Sequence, residues 1–322
     1  MANVKLFVNL NSYHTLIARD DLGIVLDEPT KVLLQNINDV PTPLAFGHNA
    51  VKNSDDQFIV TPVMEGEIVD EKMCQAMMKN YVYRVKDENV TRMNAYLSVP
   101  CGLSLQGNQN CLEVMYGAGI SGLVLVPNPV ADLLNSELEL ENCLVIDIGA
   151  GSTDVAIVGA RGIVKGATIN VGALNMDMAI VAHVQSKYGV RVSLDKANSL
   201  KRSIGSLLPS VSKNLDVNGV DFKTGANKKV NITCFDILEA IHEFYQLIMD
   251  SVGVVLKDLD DDLLSEINSR QVLICGIGSV IEGLEPYASE RLKMKVFVSK
   301  NEDNLDGLKR LSDDSSLRRN ML

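Results

Sequence analysis

The chain has 322 residues, a length that suits two domains or one large one. Hydrophobic residues make up 46% and charged residues 22%, which permits a sizeable core and excludes global disorder. The formal net charge of −11 argues against a nucleic-acid-binding protein, because such a protein needs a basic face.

The cysteines and the apolar runs indicate the cellular compartment in which the protein is expected. None of the 6 cysteines forms a CxxC pair, and several lie in apolar, strand-like runs. We therefore expect buried free thiols in a reducing cytosol, without a disulfide framework or a zinc site. No run approaches the length of a membrane-spanning helix, and the N-terminus lacks the apolar region of a signal peptide, so we expect a soluble protein.

A strand–turn–strand unit is predicted at the N-terminus. Val4–Leu10 is an apolar strand-like run, Asn9–Thr15 is a polar turn at its end, and Leu16–Ala18 resumes the extended pattern. Gly23–Val25 follows, and the proline-containing segment Val40–Ala50 is predicted to be a connection. The same order of strand, turn, strand and Gly-Ile-Val recurs half the chain later, which we interpret as an internal duplication.

An alternation of helix and strand patterns follows and predicts an α/β fold. Asn128 is predicted to cap the last of these helices, with Pro129 in its first position. The segments are Glu71–Tyr83 (helix), Ala95–Val99 (strand), Gln109–Gly119 (helix), Leu123–Val126 (strand) and Asn128–Leu134 (helix).

The stretch Cys143–Val158 contains the richest turn of the chain, in which two glycines, two hydroxyl residues and two carboxylates lie between buried, β-prone runs. Glycines let the backbone come close to a ligand, and turn amides with hydroxyls can hold phosphate oxygens. The carboxylates of Asp147 and Asp154 can hold a hydrated Mg2+, which keeps several waters and takes few carboxylates. The alternative is an ordinary β-hairpin with acidic turn residues.

The second half is predicted to contain helices, a small β meander and two further strands. Asn218–Gly219 is predicted as the meander's turn, Leu259–Asp262 as a solvated acidic loop, and Asp313–Leu322 as a frayed polar tail. The other segments are Asn175–Lys187 (helix), Asp195–Leu207 (helix), Val217–Thr233 (meander), Phe235–Leu256 (helix), Gln271–Cys275 (strand) and Val296–Val298 (strand).

A second glycine-containing segment follows the strand Gln271–Cys275. Gly276, Gly278 and Ser279 lie between this strand and a helix predicted to begin at Val280. Backbone amides at such a strand-to-helix turn can bind an anion or a nucleotide.

The turn Asp147–Asp154 resembles the second phosphate motif of the actin-like ATPase superfamily, and Gly276–Ser279 resembles its adenosine motif. Within that superfamily the chain resembles the MreB-like bacterial actins over nearly its whole length. The further segments that match this branch in order and spacing are Gly23–Pro29, Val99–Pro100, Lys201 with Ile204–Ser206, and Gly276–Leu284.

The resemblance implies an α/β, actin-like two-lobed fold, in which duplicated ribonuclease-H-like domains surround a nucleotide cleft. Lobe I is expected at residues 1–140, with a small subdomain near 30–80. Lobe II is expected at 141–300, with a small subdomain near 175–245. Residues 301–322 are expected to return to lobe I or to fray.

The resemblance also implies ATP or ADP as the ligand, with Mg2+ held through water by Asp147 and Asp154. Asp147 and Asn128 are the implied catalytic residues, and Asn128 would position the attacking water. The nucleotide-binding residues that it implies are Asn9, Ser12, Tyr13, His14, Thr15, Gly149, Ala150, Gly151, Ser152, Thr153, Asp154, Asn198, Lys201, Gly276, Gly278, Ser279 and Val280.

Three acidic positions of the family pattern are asparagine in this chain. Asn9 stands where the first phosphate motif has its aspartate, and Asn11 stands where that motif has a glycine. The loss of a charge at Asn9 is expected to weaken Mg2+ binding. Asn128, where the family has a glutamate, can hydrogen-bond to water but cannot act as a general base. Asn198, also a glutamate in the family, is expected to bind a ribose more weakly than a carboxylate would.

We therefore expect an MreB-like cytoskeletal filament subunit that binds ATP or ADP in the interlobe cleft, polymerises head to tail and hydrolyses ATP slowly or not at all. A head-to-tail contact is heterologous and leaves an open filament. One alternative is a non-polymerising scaffold or adaptor with a degenerate nucleotide site. Another is a small-molecule kinase of the same superfamily, although the sequence offers no convincing carboxylate base for the acceptor hydroxyl.

The expected partners are further copies of the chain and cytoskeletal or membrane-associated proteins, without nucleic acid. The family often contacts membranes through an N-terminal amphipathic helix or an apolar loop. This sequence begins directly on its first predicted strand, and Arg84–Asn94 is mostly polar. We therefore expect little direct membrane contact and a location in the bacterial cytoplasm, with its membrane-proximal zone included.

Overall fold

The computed structural model describes residues 2–322 and divides them into two compact units. Unit 1 comprises the described residues up to Glu141 together with Val158–Thr168 and Asp303–Leu322. Unit 2 comprises Asn142–Ile157 and Ile169–Glu302. Each unit is therefore assembled from segments that are distant in the sequence.

The strands of the two large sheets contain the β-branched and leucine-rich runs of the sequence, as expected from their β-propensity, whereas β15 and β16 are mostly polar. They are β1 (Ala2–Leu10), β2 (His14–Arg19), β3 (Gly23–Pro29), β4 (Val32–Ile37), β5 (Val40–Phe46), β6 (Gln57–Val60), β7 (Val63–Met64), β8 (Glu67–Ile68), β9 (Val90–Val99), β10 (Gly122–Pro127), β11 (Cys143–Ile148), β12 (Thr153–Gly159), β13 (Gly162–Ile169), β14 (Val190–Arg191), β15 (Asn214–Asp221), β16 (Asn227–Thr233), β17 (Gln271–Cys275) and β18 (Lys295–Val298).

Most of the α-helices begin at a residue whose side chain caps the first turn, such as Asp70, Ser104, Ser193 and Thr233. They are α1 (Glu71–Arg84), α2 (Leu105–Gly117), α3 (Asn128–Leu134), α4 (Ala173–Tyr188), α5 (Leu194–Ile204), α6 (Cys234–Leu256), α7 (Asp261–Ser269), α8 (Leu284–Leu292), α9 (Leu305–Asp313) and α10 (Ser315–Met321).

Two five-stranded sheets, of order β10-β9-β1-β2-β3 and β13-β12-β11-β17-β18, position the candidate residues. In the first sheet, β1 pairs in parallel with β9 and antiparallel with β2, so the β1–β2 turn lies at the carboxyl end of β1. In the second, β11 pairs in parallel with β17, which brings the residues after both strands to the same edge. Polar turns at that edge are where α/β sheets bind ligands.

The core of unit 1 lies on the first sheet, where Leu6, Val8 and Leu97 are almost fully buried beside residues of α1 and α2. All six cysteines are free thiols, as predicted, and Cys101 alone is half-buried while the other five are buried. Among residues 2–322, no helix is both long enough and apolar enough to cross a membrane.

Two predictions of irregular structure in the first and second halves were wrong. Val40–Phe46 is a strand that pairs with β4, and its prolines are accommodated because it lies at the edge of the β5-β4-β6 sheet. Asn218–Gly219 lies within β15 and pairs with β16. The turn comes later, where the Asp221 carboxylate accepts hydrogen bonds from two amides and Gly225 adopts a φ of +72°.

The acidic segment and the tail also differ from the predictions. Asp260 caps α7, so the end of Leu259–Asp262 is helical where a loop was predicted. The predicted frayed tail contains α10, capped by Asp314, and its Met321 is buried. Gly162 leaves room for this helix, since a Cβ at that position would press on the Met321 carbonyl.

Candidate functional site

The first candidate loop is the turn between β1 and β2, where Leu10 pairs with Thr15. The Asn11 amide donates to the His14 carbonyl at 3.2 Å and closes the turn. The side-chain oxygen of Asn11 accepts hydrogen bonds from the backbone amides of Tyr13 and His14, each at 2.9 Å. This turn therefore satisfies two of its own amides with a side chain.

A chain of asparagine side chains continues from this turn into unit 1. The Asn11 Nδ2 donates to the Asn9 Oδ1 at 3.0 Å, and the Asn9 Nδ2 donates to the Asn304 Oδ1 at 3.1 Å. Asn304 is only 3% exposed, at the start of α9. The sequence offered no signal for Asn304, which is 295 positions from Asn9.

The remaining predicted residues of the first turn have different environments. The His14 Nδ1 pairs with the Asp27 carboxylate at 2.7 Å, and its ring lies 4.7 Å from that of Tyr13. The buried Thr15 hydroxyl bonds to Thr30 at 2.9 Å. The Ser12 hydroxyl oxygen is buried, and it makes no hydrogen bond within the part of the chain that the structure describes.

The second candidate loop joins β11 to β12 and is a tight turn. The Gly149 amide donates to the Ser152 carbonyl at 2.9 Å, and a Cβ on Gly149 would lie 2.9 Å from that same carbonyl oxygen. Among residues 2–322, no hydrogen bond uses the amides of Ala150, Gly151 or Ser152. Three successive amides of this turn are thus available to an anion.

The first residues of α4 donate hydrogen bonds to the carbonyls of this second turn. The amides of Ala173 and Leu174 donate to the carbonyls of Gly149 and Ala150, both at 2.9 Å. Gly172 permits the approach, since a Cβ there would lie 2.5 Å from the Ala150 oxygen. Sequence reasoning missed this support, for which the available signal was Gly172, three residues before the predicted helix Asn175–Lys187.

The hydroxyl of Thr153 has a structural partner. It donates to the Val171 carbonyl at 2.7 Å, and the residue is fully buried. Its predicted phosphate contact would therefore compete with this bond, whereas Ser152 has no such partner among the described residues.

Asp147 and Asp154 are both buried, at 7% and 1% exposure. Burial, with the negative charge of Asp154 added, raises the pKa of Asp147 to about 8. Two carboxylates in this state fit a cation, because a positive charge would relieve both the desolvation and the repulsion. The donor set therefore fits hydrated Mg2+, which prefers oxygen ligands.

The glycines after β17 lie against the end of β11. Gly276 has a φ of +82°, and a Cβ there would collide with the Asp147 carboxylate. A Cβ on Gly278 would collide with the Ile148 side chain. The Ser279 hydroxyl and the Tyr245 hydroxyl donate to the carbonyls of Gly276 and Gly278, each at 2.7 Å. The two predicted motifs of unit 2 are therefore in direct contact.

The helix predicted from Val280 is wrong. Ile277–Ser279 forms a single 3-10 turn, and α8 begins only at Leu284. The intervening residues are not helical: Glu282 forms an isolated bridge with Ser206, its carbonyl accepts the Leu207 amide at 2.9 Å, and Gly283 has a φ of +83°. Gly276–Ser279 consequently follows a strand without opening an α-helix.

Lys201 and Asn198 lie on α5, with contrasting environments. Lys201 is 1% exposed, pairs with Asp177 at 2.8 Å and donates to the Ala173 carbonyl at 3.1 Å. Burial lowers the pKa of Lys201 and raises that of Asp177, despite their attraction. Lys201 therefore ties α5 to the start of α4, whereas Asn198 is half-buried and makes no side-chain hydrogen bond within residues 2–322.

Asn128 does not cap α3 as predicted. Pro127 occupies the cap position and Asn128 is the first residue of the helix, half-buried, with Pro129 behind it. Its predicted role with water stays a prediction.

The comparisons with known proteins agree on one family. A family model described as MreB/Mbl protein matches residues 3–315. The cell shape-determining protein MreB of Escherichia coli strain K12 is 26% identical over 313 residues, which cover 94% of this chain and 90% of that protein. The cell shape-determining protein Mbl of Bacillus subtilis strain 168 is 24% identical, over 91% of this chain and 90% of that protein.

Solved structures of similar proteins share the fold. MreB5 of Spiroplasma citri bound to ADP superposes with a TM-score of 0.88 at 21% identity, over 99% of this chain and 98% of that one. The same protein bound to AMPPNP gives a TM-score of 0.86 at 22% identity, with the same coverage. A MamK double helical filament gives 0.82 at 17% identity, over 97% and 99% of the two chains. The prediction of an α/β, actin-like fold is therefore confirmed.

Proposed function

Because this chain belongs to the MreB/Mbl family, we propose that it is a cytoskeletal filament subunit that binds ATP or ADP and assembles head to tail. The observation that supports this most strongly is the β11–β12 turn, with three uncovered amides beside two buried carboxylates. Phosphate oxygens and a hydrated cation match these groups in charge and hydrogen bonding. The names of the relatives support a role in cell shape.

The proposed roles of the residues follow from their surroundings. The amides of Ala150, Gly151 and Ser152 hold phosphate oxygens, and Gly276–Ser279 receives the nucleoside. Asp147 and Asp154 would hold Mg2+ through water, and the ion would supply positive charge against the phosphates. The half-buried Asn198 amide hydrogen-bonds a ribose hydroxyl, and Lys201 positions α4 behind the turn. Asn128 orients water without accepting its proton, so hydrolysis is slow.

Self-assembly is proposed from the family and from the filament of the similar MamK structure. A head-to-tail contact joins two different surfaces and repeats without closing, which generates a filament. In this proposal ATP favours the assembled state, and hydrolysis weakens it.

High-speed sedimentation of the pure protein tests this function. We expect pelleting with ATP or a non-hydrolysable analogue, and little pelleting with ADP or without nucleotide. Pelleting that is equal in all four conditions would contradict nucleotide control. Absence of pelleting with measurable ATP binding would favour the second candidate, a non-polymerising scaffold with a diverged site. The observation that favours this scaffold is the first turn, where the side chains of Asn9, Asn11 and Asn304 hydrogen-bond to one another.

A further inference from the structure

The β1–β2 turn has the geometry of an anion site that is already filled. Two successive amides, of Tyr13 and His14, converge on one acceptor oxygen at 2.9 Å each. Successive amides that point at one atom form a concave nest that binds anions in many proteins. In this chain the atom in the nest is the chain's own Asn11 Oδ1.

We propose that the Asn11 carboxamide occupies the position of a phosphate oxygen and closes the first turn to the nucleotide's phosphates. The inference rests on the proposed nucleotide binding and adds a residue that sets its phosphate dependence. The β11–β12 turn then makes most of the phosphate contacts alone, so ATP binds only modestly better than AMP.

The orientation of Asn11 is determined by its partners. Backbone amides only donate, so they meet the side-chain oxygen, and the Asn11 Nδ2 must point the other way, to the Asn9 Oδ1. The Asn9 Nδ2 in turn donates to Asn304. An aspartate at position 9 has no N–H for that bond, so Asn9 and Asn11 form one unit that is anchored in the interior.

Ser12 provides an independent sign that this turn can receive a ligand. Its hydroxyl oxygen is buried and has no hydrogen-bond partner within residues 2–322. Buried hydroxyls are bonded in the large majority of cases, so one without a partner beside a filled nest calls for an explanation. A phosphate oxygen that displaced Asn11 would offer this hydroxyl the acceptor that it lacks.

The same turn geometry elsewhere in the chain provides a matched control. The Asp221 carboxylate accepts from the amides of Lys223 and Thr224, at 3.0 Å each, with the same two- and three-residue offsets. This turn lies between β15 and β16 and contains none of the residues proposed to bind nucleotide. Removal of the Asp221 side chain frees two amides that are not proposed to contact a nucleotide.

The test compares the dissociation constants of ATP and AMP, measured by titration calorimetry, for the wild type, Asn11→Ala and Asp221→Ala. Asn11 does not have a left-handed backbone, so alanine is compatible with its conformation. Two freed amides that meet a charged phosphate should tighten ATP binding about tenfold, while the AMP constant stays within about twofold. Asp221→Ala should leave both constants unchanged.

Asn11→Asp is a second, opposite probe. The aspartate keeps an acceptor on the two amides and adds a negative charge, so ATP should bind about tenfold more weakly while AMP changes less. This variant keeps the two hydrogen bonds from the amides of Tyr13 and His14 but loses the donor to Asn9. It tests the proposal even if Asn11→Ala loses its fold by circular dichroism.

The outcomes separate the two proposals. If the wild type binds ATP and Asn11→Ala binds it no more tightly, the nucleotide proposal stands and the filled nest is wrong. If Asn11→Ala binds ATP where the wild type does not, the filled nest is supported. If neither protein binds ATP, both proposals are contradicted.

Discussion

The β1–β2 and β11–β12 turns repeat one strand–turn–strand design but satisfy their backbone groups in opposite ways. In the first turn, the side chain of Asn11 accepts from the amides of Tyr13 and His14. In the second, Gly149 has no side chain, and the amides after it remain uncovered. The carbonyls of the second turn are satisfied from behind, by the start of α4.

The difference shows that a single side chain decides whether the amides of such a turn are covered by the chain itself or left for another acceptor. Where the turn has glycine, its amides stay free and the surrounding fold must hold its shape. Where it has asparagine, the turn holds itself and its amides are used. The support that a turn receives from other elements and the availability of its amides to a ligand are therefore linked. A mutation can change either of them.

The largest effect is expected from Lys201→Ala, which removes support from the second turn. It leaves the carboxylate of Asp177 buried and unpaired, so the free energy of unfolding should fall by about 3–5 kcal/mol. ATP affinity should fall as well, because the start of α4 loosens. Urea denaturation measures the stability. As the control, Arg202→Ala on the same helix breaks a partly exposed pair with Glu302, and an equal loss there would contradict the assignment.

Asp147→Asn sharpens the comparison through pH. The pKa of Asp147 in the folded, metal-free protein is raised from 3.8 to about 8. Its contribution to stability is therefore greatest below pH 3.8 and is lost as the pH rises to about 8. Because an asparagine side chain does not ionise, Asp147→Asn lacks this loss. Between pH 3.8 and about 8 its free energy of unfolding should exceed that of the wild type by on the order of a few kcal/mol.

Urea denaturation in EDTA at several pH values measures this gain. The exposed Asp261→Asn should follow the wild type. Addition of Mg2+ and ATP should reduce the wild type's loss at high pH, because a cation favours the charged carboxylates. A parallel pH dependence of Asp147→Asn and the wild type in EDTA would contradict the burial and repulsion described for this pair.

Asn304→Ala breaks the far end of the asparagine chain in the first turn. It leaves the Asn9 Nδ2 without its acceptor, and we expect a loss of about 1–2 kcal/mol in the free energy of unfolding. The exposed Asn231→Ala should change stability by less than about 0.5 kcal/mol. If thermal and urea denaturation show no difference between the two variants, the chain does not anchor the turn.

Tyr245→Phe should have the smallest effect. It removes one buried hydrogen bond to the Gly278 carbonyl, at a cost of about 1 kcal/mol in stability. ATP and AMP affinities should decline together, because Gly276–Ser279 is proposed to contact the nucleoside common to both. A change in the ATP affinity alone would place this segment at the phosphates. Tyr83→Phe, at an exposed position, serves as the control.

The elements with strong local patterns were predictable from sequence. The strand–glycine turn–strand around Gly149 and the strand Gln271–Cys275 are confirmed, since their β-branched runs and glycines encode the structure locally. The family resemblance supplied the actin-like fold, which the comparisons confirm. The nucleotide contacts of the individual residues stay predictions.

The features that sequence reasoning missed depend on contacts between distant segments. The tail forms α10 because Met321 packs where Gly162 leaves space. Asn304, at the start of α9, hydrogen-bonds to Asn9 beside the first turn, and no local sequence pattern predicts this contact. Lys201 was predicted as a ligand residue from its motif, but its internal partners lie on α4, which only the tertiary structure brings close.

The contrast between the two turns is tested most directly by ATP binding to a matched pair of variants, Gly149→Val and Asn11→Ala, measured by titration calorimetry beside the wild type. A side chain at Gly149 would press on the Ser152 carbonyl and distort the open turn. We predict that Gly149→Val loses ATP binding and that Asn11→Ala binds ATP more tightly than the wild type. Equal affinities in all three proteins, or tighter binding by Gly149→Val, would contradict the assignment of an open and a closed turn.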